Sequence, residues 1–92
     1  VGHGVLVYSN GRGTFEENEI VGNTYAGIVV LDGGDPLFRR NRIQRNGDEA
    51  IWVYKQGAGT YEDNDLRDNA KGPWNISKDS LPLIKRSGNI ES

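Results

Sequence analysis

Arg39, Arg40 and Arg42 fall within the eight residues PLFRRNRI (Pro36–Ile43), and Arg45 follows close behind. Guanidinium groups at that density suit a phosphate backbone, so nucleic-acid binding is the first chemistry to weigh. The chain as a whole argues against it. Eleven Lys and Arg stand against 13 Asp and Glu, a net charge of −2 that gives no long-range pull toward nucleic acid or an anionic membrane. A second group is Asp32 and Asp35 with Lys55 and Lys78, which share one turn region. Two carboxylates flanking a sugar bond could do acid–base work, and carboxylates could hold Ca²⁺. That region is glycine-rich, however, and solvated charges are its ordinary content. His3 is the single histidine, and no Ser or Cys can be placed beside it as a nucleophile. The chain has no cysteine, which excludes disulfides and thiolate metal sites. Nothing in the sequence requires a cofactor or a metal. Asn75-Ile76-Ser77 is a formal glycosylation sequon, best read as chance because no secretory signal accompanies it.

What must position these groups is a repeat. Residues 4–26, 27–49 and 50–72 align one below another with a 23-residue period, and 73–92 completes the stack. One column holds Val5, Ile28, Ile51 and Trp74; another holds Val7, Val30, Val53 and Ile76. A third holds Phe15, Phe38, Tyr61 and Ile84, and a fourth holds Ile20, Ile43 and Leu66 before breaking at Asn89. Asparagine recurs at Asn18, Asn41, Asn64 and at Asn23, Asn46, Asn69. Apolar residues alternate within each unit, and Gly, Asn and Asp punctuate the runs, which argues for short strands and against helix. One such unit cannot bury its apolar side, but stacked units can, spaced at about 4.8 Å. The sequence therefore predicts an all-β solenoid, a right-handed parallel β-helix of about four 23-residue coils forming a single unit over 1–92. The asparagine columns read as ladders that satisfy backbone groups at the bends.

The pattern G-[IV]-x-V…G-x-[GP]-x-[FY]-x-x-N-x-[IL]-x-x-N resembles the parallel β-helix repeats of the pectin-lyase-like superfamily. It is similar to the repeat arrays of F-box adaptors and of bacterial right-handed β-helix proteins. The resemblance covers the whole chain and implies the fold. Lyases of this superfamily would need Ca²⁺-binding carboxylates with an Arg or Lys base, and its glycosidases would need clustered Asp residues.

The alignment gives the arginines an internal task. Glu16-Glu17, Arg39-Arg40, Glu62-Asp63 and Lys85-Arg86 follow one another coil by coil, and Glu19, Arg42 and Asp65 repeat the alternation. Opposite charges stacked across parallel strands contribute about 0.2–1 kcal/mol per pair, and a slip by one coil would oppose like charges. If the first-strand columns face inward, then Leu6, Tyr8, Val29, Leu31, Trp52 and Tyr54 face outward as a contiguous apolar and aromatic stripe. Such a stripe marks an interface, and Trp and Tyr are enriched at hot spots. These six are the expected binding residues of a non-catalytic module for protein contact or self-association. The competing expectation is a carbohydrate-binding or polysaccharide-degrading β-helix that uses Asp32, Asp35, Lys55 and Lys78. No nucleic acid and no membrane is expected as partner. Val1-Gly2-His3 reads as mid-sequence material, so the chain is expected to be the C-terminal part of a longer array, with its last coil a cap: Pro73 there removes a ladder donor. The absence of a leader segment tilts the expected compartment toward the cytoplasm.

Overall fold

The computed structural model describes residues 3–91. The first coil contributes β1 (Val5–Val7), β2 (Thr14–Glu16) and β3 (Glu19–Val21). The second contributes β4 (Ile28–Val30), β5 (Leu37–Arg39) and β6 (Arg42–Gln44). The third contributes β7 (Ile51–Val53) and β8 (Gly59–Glu62), with Asp65 bridging to Arg42 where a third strand would lie. The fourth contributes β9 (Trp74–Ile76), a single 3-10 turn at Leu81–Leu83, and β10 (Ile84–Ser87). Every pairing is parallel, in sheets ordered β1-β4-β7-β9, β2-β5-β8-β10 and β3-β6. This is the expected β-solenoid.

The core is made of the expected columns. Ile28, Val30, Phe38, Ile43, Ile51, Val53, Tyr61 and Leu66 are buried, with Val5, Phe15, Trp74, Ile76 and Ile84 packed partly against them. Phe15 stacks on Phe38 at 4.6 Å and Phe38 on Tyr61 at 5.9 Å, with planes within 10° of parallel. Burial pushes the Tyr61 hydroxyl's pKa well above its ordinary value, the nearby Asp35 charge adding to it, while its O–H donates to the Ala58 carbonyl at 2.8 Å.

The bends that carry the asparagine ladders rest on left-handed residues. Glu17, Arg40, Asp63 and Gly88 hold one corner at φ of 56°, 56°, 55° and 67°; Gly22, Arg45 and Asp68 hold the next at 73°, 55° and 63°. Every one of them directly precedes a ladder asparagine. The carboxamides then supply the hydrogen bonds that the bend interrupts. Asn64 Oδ1 accepts from the Asn41 backbone N–H at 2.9 Å and from Asn41 Nδ2 at 3.1 Å, while Asn64 Nδ2 donates to the Phe38 carbonyl at 3.1 Å. Asn46 is bonded in the same way to Asn23 and Asn69. The ladders are thus structural, as their sequence pattern implied.

The fourth coil departs from the gap-free alignment. From Ile84 onward the register offset is 25 residues, not 23, so Arg86 stands opposite Tyr61 and Ser87 opposite Glu62. Lys85 therefore does not continue the Glu16–Arg39–Glu62 column, and Ile84 lies beside Gly59. Asn89 does not fill the Ile20/Ile43/Leu66 column; it is the last rung of the Asn18/Asn41/Asn64 ladder, accepting from the Asn64 N–H at 3.0 Å and donating to the Tyr61 carbonyl at 3.0 Å. The cause is the 3-10 turn. Gly57-Ala58-Gly59 turns the third coil, whereas Ser80-Leu81-Pro82-Leu83-Ile84 spans the equivalent bend with two additional residues.

Candidate outward-facing binding site

The first sheet, β1-β4-β7-β9, places the six expected contact residues on its outer side. Register pairs Leu6 with Val29 and Val29 with Trp52, and Asn75 continues that column. Leu6 and Tyr8 are 53% and 56% exposed; Leu31, Trp52 and Tyr54 are half-buried. Val29 is a correction. It is only 2% exposed and stands outside the interior cluster, because Leu6 and Trp52 flank it in register with larger side chains. It supports the face from beneath and offers no contact area.

Trp52 and Tyr54 stack at 4.4 Å with planes 20° apart, a rigid aromatic step on a rigid sheet. Two further rings join it that the sequence pattern did not single out. His3 lies 5.5 Å from Tyr25 and 6.3 Å from Trp52, and Tyr25 is 51% exposed. Both sit at the bend before β1 and β4, where strict alternation of inward and outward side chains ends. The Lys55 ammonium lies 5.9 Å from the Tyr54 ring centroid, so one member of the polar edge borders the aromatic face.

The rest of that polar edge does not converge. Asp32 and Lys55 occupy left-handed turn positions at φ of 53° and 50°, and Asp32, Asp35, Lys55 and Lys78 are all exposed. The Asp32 carboxylate accepts from Ser9 Oγ at 3.4 Å, and among the described residues no ion pair links the four. Among the described residues no three His, Asp or Glu side chains group closely enough to hold a metal ion.

The arginines of PLFRRNRI face acidic neighbours, as the alternation implied. Arg39 Nη2 lies 2.8 Å from Glu16 and its Nη1 3.8 Å from Glu62. Arg40 approaches Glu16 at 3.5 Å and Glu17 at 3.7 Å, and Arg42 bonds Glu19 at 2.9 Å. One rung differs from the expected pattern. Asp65 is gripped at both oxygens by Arg67 of its own coil, at 2.8 and 2.7 Å, and forms no ion pair with Arg42. That grip holds the Asp65 carboxyl at about 2, below its ordinary 3.8. A groove of about 450 Å³ follows this corner, lined by Glu17, Glu19, Arg40, Arg42, Asp63 and Asp65 together with the ladder. Most of its charges are consumed internally, and its alternating signs present no uniform field to a polyanion.

No solved structure matches the chain. A family model described as a right-handed β-helix region matches residues 1–88, and the chain belongs to that family.

Proposed function

We propose that this β-helix is a non-catalytic binding module that engages a protein partner through the outer face of its first sheet. Leu6, Tyr8, Leu31, Trp52 and Tyr54 form the contact surface, Val29 underlies it, and Tyr25 and His3 extend it at the bend. The observation that carries the reading is the Trp52–Tyr54 stack, held at 4.4 Å on strand β7 and its continuation, with Leu6, Tyr8 and Tyr25 more than half exposed around it. Aromatic rings fixed before binding lose little conformational entropy on contact, which is why they serve as anchors. The parallel ladder beneath keeps them fixed.

The test is a photo-crosslinking residue installed at Tyr54 and, separately, at Thr60 on the second sheet, each with and without Trp52→Ser. Crosslinks to one defined protein, or to a second copy, from position 54 alone and lost in the Trp52→Ser chain are expected. Equal crosslinking from both positions, or no change on Trp52→Ser, overturns the assignment of this face. A carbohydrate ligand of the Asp32, Asp35, Lys55 and Lys78 edge would instead give a specific glycan-array signal, with or without Ca²⁺. That result would replace the protein-contact reading.

A further inference from the structure

Among the described residues, charges in register on neighbouring coils have opposite signs, with one exception. Glu16 precedes Arg39, Arg45 precedes Asp68, and Asp48 precedes Lys71. Lys55 alone is followed by its own kind, Lys78. The 23-residue register holds around that pair. Val53 lies beside Ile76, the Ser77 N–H donates to the Val53 carbonyl, and the Gln56 N–H donates to Asp79 Oδ2 at 3.1 Å. Neighbouring coils are about 4.8 Å apart, so the two ammonium-bearing side chains start from adjacent levels of one turn. Like charges placed directly opposite one another destabilise a sheet. Both lysines are exposed, and among the described residues neither forms an ion pair. The adjoining carboxylate of Asp79 is occupied by the Gln56 N–H and by the Ser77 hydroxyl, which holds its carboxyl below the ordinary range. Asp32, one coil earlier in the same column, accepts from Ser9 Oγ instead.

This like-charged pair borders the aromatic face. Lys55 directly follows Tyr54, and its ammonium lies 5.9 Å from that ring's centroid, beside the Trp52–Tyr54 stack. The opposite margin of the same sheet has the other sign. There Asp48 is neutralised by Lys71 at 3.1 Å, while Glu49 makes one side-chain bond among the described residues, accepting from Asn75 Nδ2 at 3.4 Å. The four residues of the polar edge do not converge on one point, but two of them give the face a doubly basic margin. The face thus runs from an acidic side, across the rings, to a basic one.

Building on the protein-contact reading of the first sheet, we infer that Lys55 and Lys78 are the anion-recognising end of that face. Its occupant is an acidic segment of a protein partner, with carboxylates at one end and an apolar or aromatic side chain set against the Trp52–Tyr54 step. A carboxylate received between the two ammonium groups relieves their repulsion, so the free fold carries a cost that the ligand removes. The two margins also specify where the ligand's charge lies. An acid confined to one end meets only the lysines, whereas a polyanion charged at every unit carries the same sign across to Glu49.

The test applies the whole chain, fluorescently labelled, to an array of synthetic peptides. In each, a Trp or Leu anchor stands at varied spacing from two Glu, two Gln or two Lys. The Glu peptides are expected to retain the chain about threefold to tenfold more than the Gln peptides, the scale of two exposed ion pairs, and the Lys peptides least. That preference should vanish in about 1 M salt, where the screening length falls to about 3 Å, and in the Lys55→Met, Lys78→Met double variant. Trp52→Ser should weaken the Glu and Gln sets alike. Lys78→Glu should abolish the preference while raising the urea midpoint, because it completes the alternation of sign. Equal retention on Glu and Gln peptides would overturn the charge assignment and leave the aromatic contact face standing. No retention on any set would overturn the assignment outright. Retention that Trp52→Ser leaves unchanged on every set would overturn the contact face and the assignment together. Stronger retention on an immobilised uronic-acid oligosaccharide than on any Glu peptide would replace the protein partner with an acidic sugar. A urea midpoint lowered by Lys78→Glu would show that the lysine pair supports the fold, and the repulsion on which the assignment depends would be refuted.

Discussion

Replacing Asn64 with alanine is expected to destabilise the fold more than any other single change on the ladders, although the residue touches neither charge nor solvent. Its carboxamide is fully buried and makes bonds to Asn41 N–H and Nδ2, to the Phe38 carbonyl and to Asn89 Oδ1. Alanine strands the Asn41 N–H and removes a partner from the Phe38 carbonyl, both at a bend buried from solvent. A buried backbone group left unpaired costs about 1–3 kcal/mol, so the two together cost about 2–6 kcal/mol. That is a large share of the roughly 5–15 kcal/mol that holds a domain folded. Asn18→Ala is the internal control. It removes the same chemical group from the same column, but the Asn18 side chain makes no hydrogen bond among the described residues, and its backbone N–H still reaches Asn41. Its expected cost is below about 0.5 kcal/mol. Urea titration measures both, the difference lying in the midpoint at unchanged slope. Equal midpoints for Asn64→Ala and Asn18→Ala would refute the argument that the ladder stabilises by pairing bend amides.

Three further outcomes follow from local geometry. The folded-state pKa of Asp65 lies at about 2, below its ordinary 3.8, so its contribution is fully present above pH 3.8 and is lost as pH falls toward 2. Asp65→Asn should flatten this part of an acid titration followed by circular dichroism, by less than about 1 kcal/mol because the pair is open to solvent screening. Gly47 is exposed, yet a Cβ there would overlap the Thr24 carbonyl oxygen. Gly47→Ala should therefore cost about 2–3 kcal/mol, an overpacking penalty against backbone, and lower the melting temperature accordingly. Gly22→Ala, at φ of 73° with open space around it, should cost only about 1 kcal/mol.

The coils were legible because a solenoid repeats its chemistry column by column, and the same side chain solves the same packing problem at each level. Register in the fourth coil was not, because a gap-free alignment places Ile84 credibly under Tyr61. The signal that resolves it lies in the bends. A left-handed residue directly precedes every ladder asparagine, and Gly88-Asn89 is the only such pair in the last coil, which fixes Asn89 as a rung. The outward side of the first sheet was legible from two-residue alternation. The burial of Val29 was not, because it depends on the size of Leu6 and Trp52 across the register. Tyr25 and His3 lie at a bend, where alternation carries no information. The Asp65–Arg67 grip escaped for a related reason: it runs along the chain, while the column argument compares residues only across coils.

The arrangement separates what holds the fold from what the fold displays. Inward columns and asparagine bends are constrained at every level, since a changed residue there strands an amide or opens the stack. Outward positions are constrained only by charge sign at one corner and by nothing comparable on the first sheet. Leu6, Val29, Trp52 and Asn75 share one outward column that mixes aliphatic, aromatic and amide side chains, while the inward column beside it holds only Val, Ile and Trp. The backbone of that sheet therefore does not require Trp52, and Tyr54 stacked upon it fills no interior space. Aromatic rings standing where other levels of the column carry Leu, Val and Asn are what the proposed contact face rests on. The side chains of PLFRRNRI have partners within the stack. Arg40 and Arg45 are bend residues, Arg39 and Arg42 answer glutamates of the first coil, and Phe38, Ile43 and Asn41 belong to the interior.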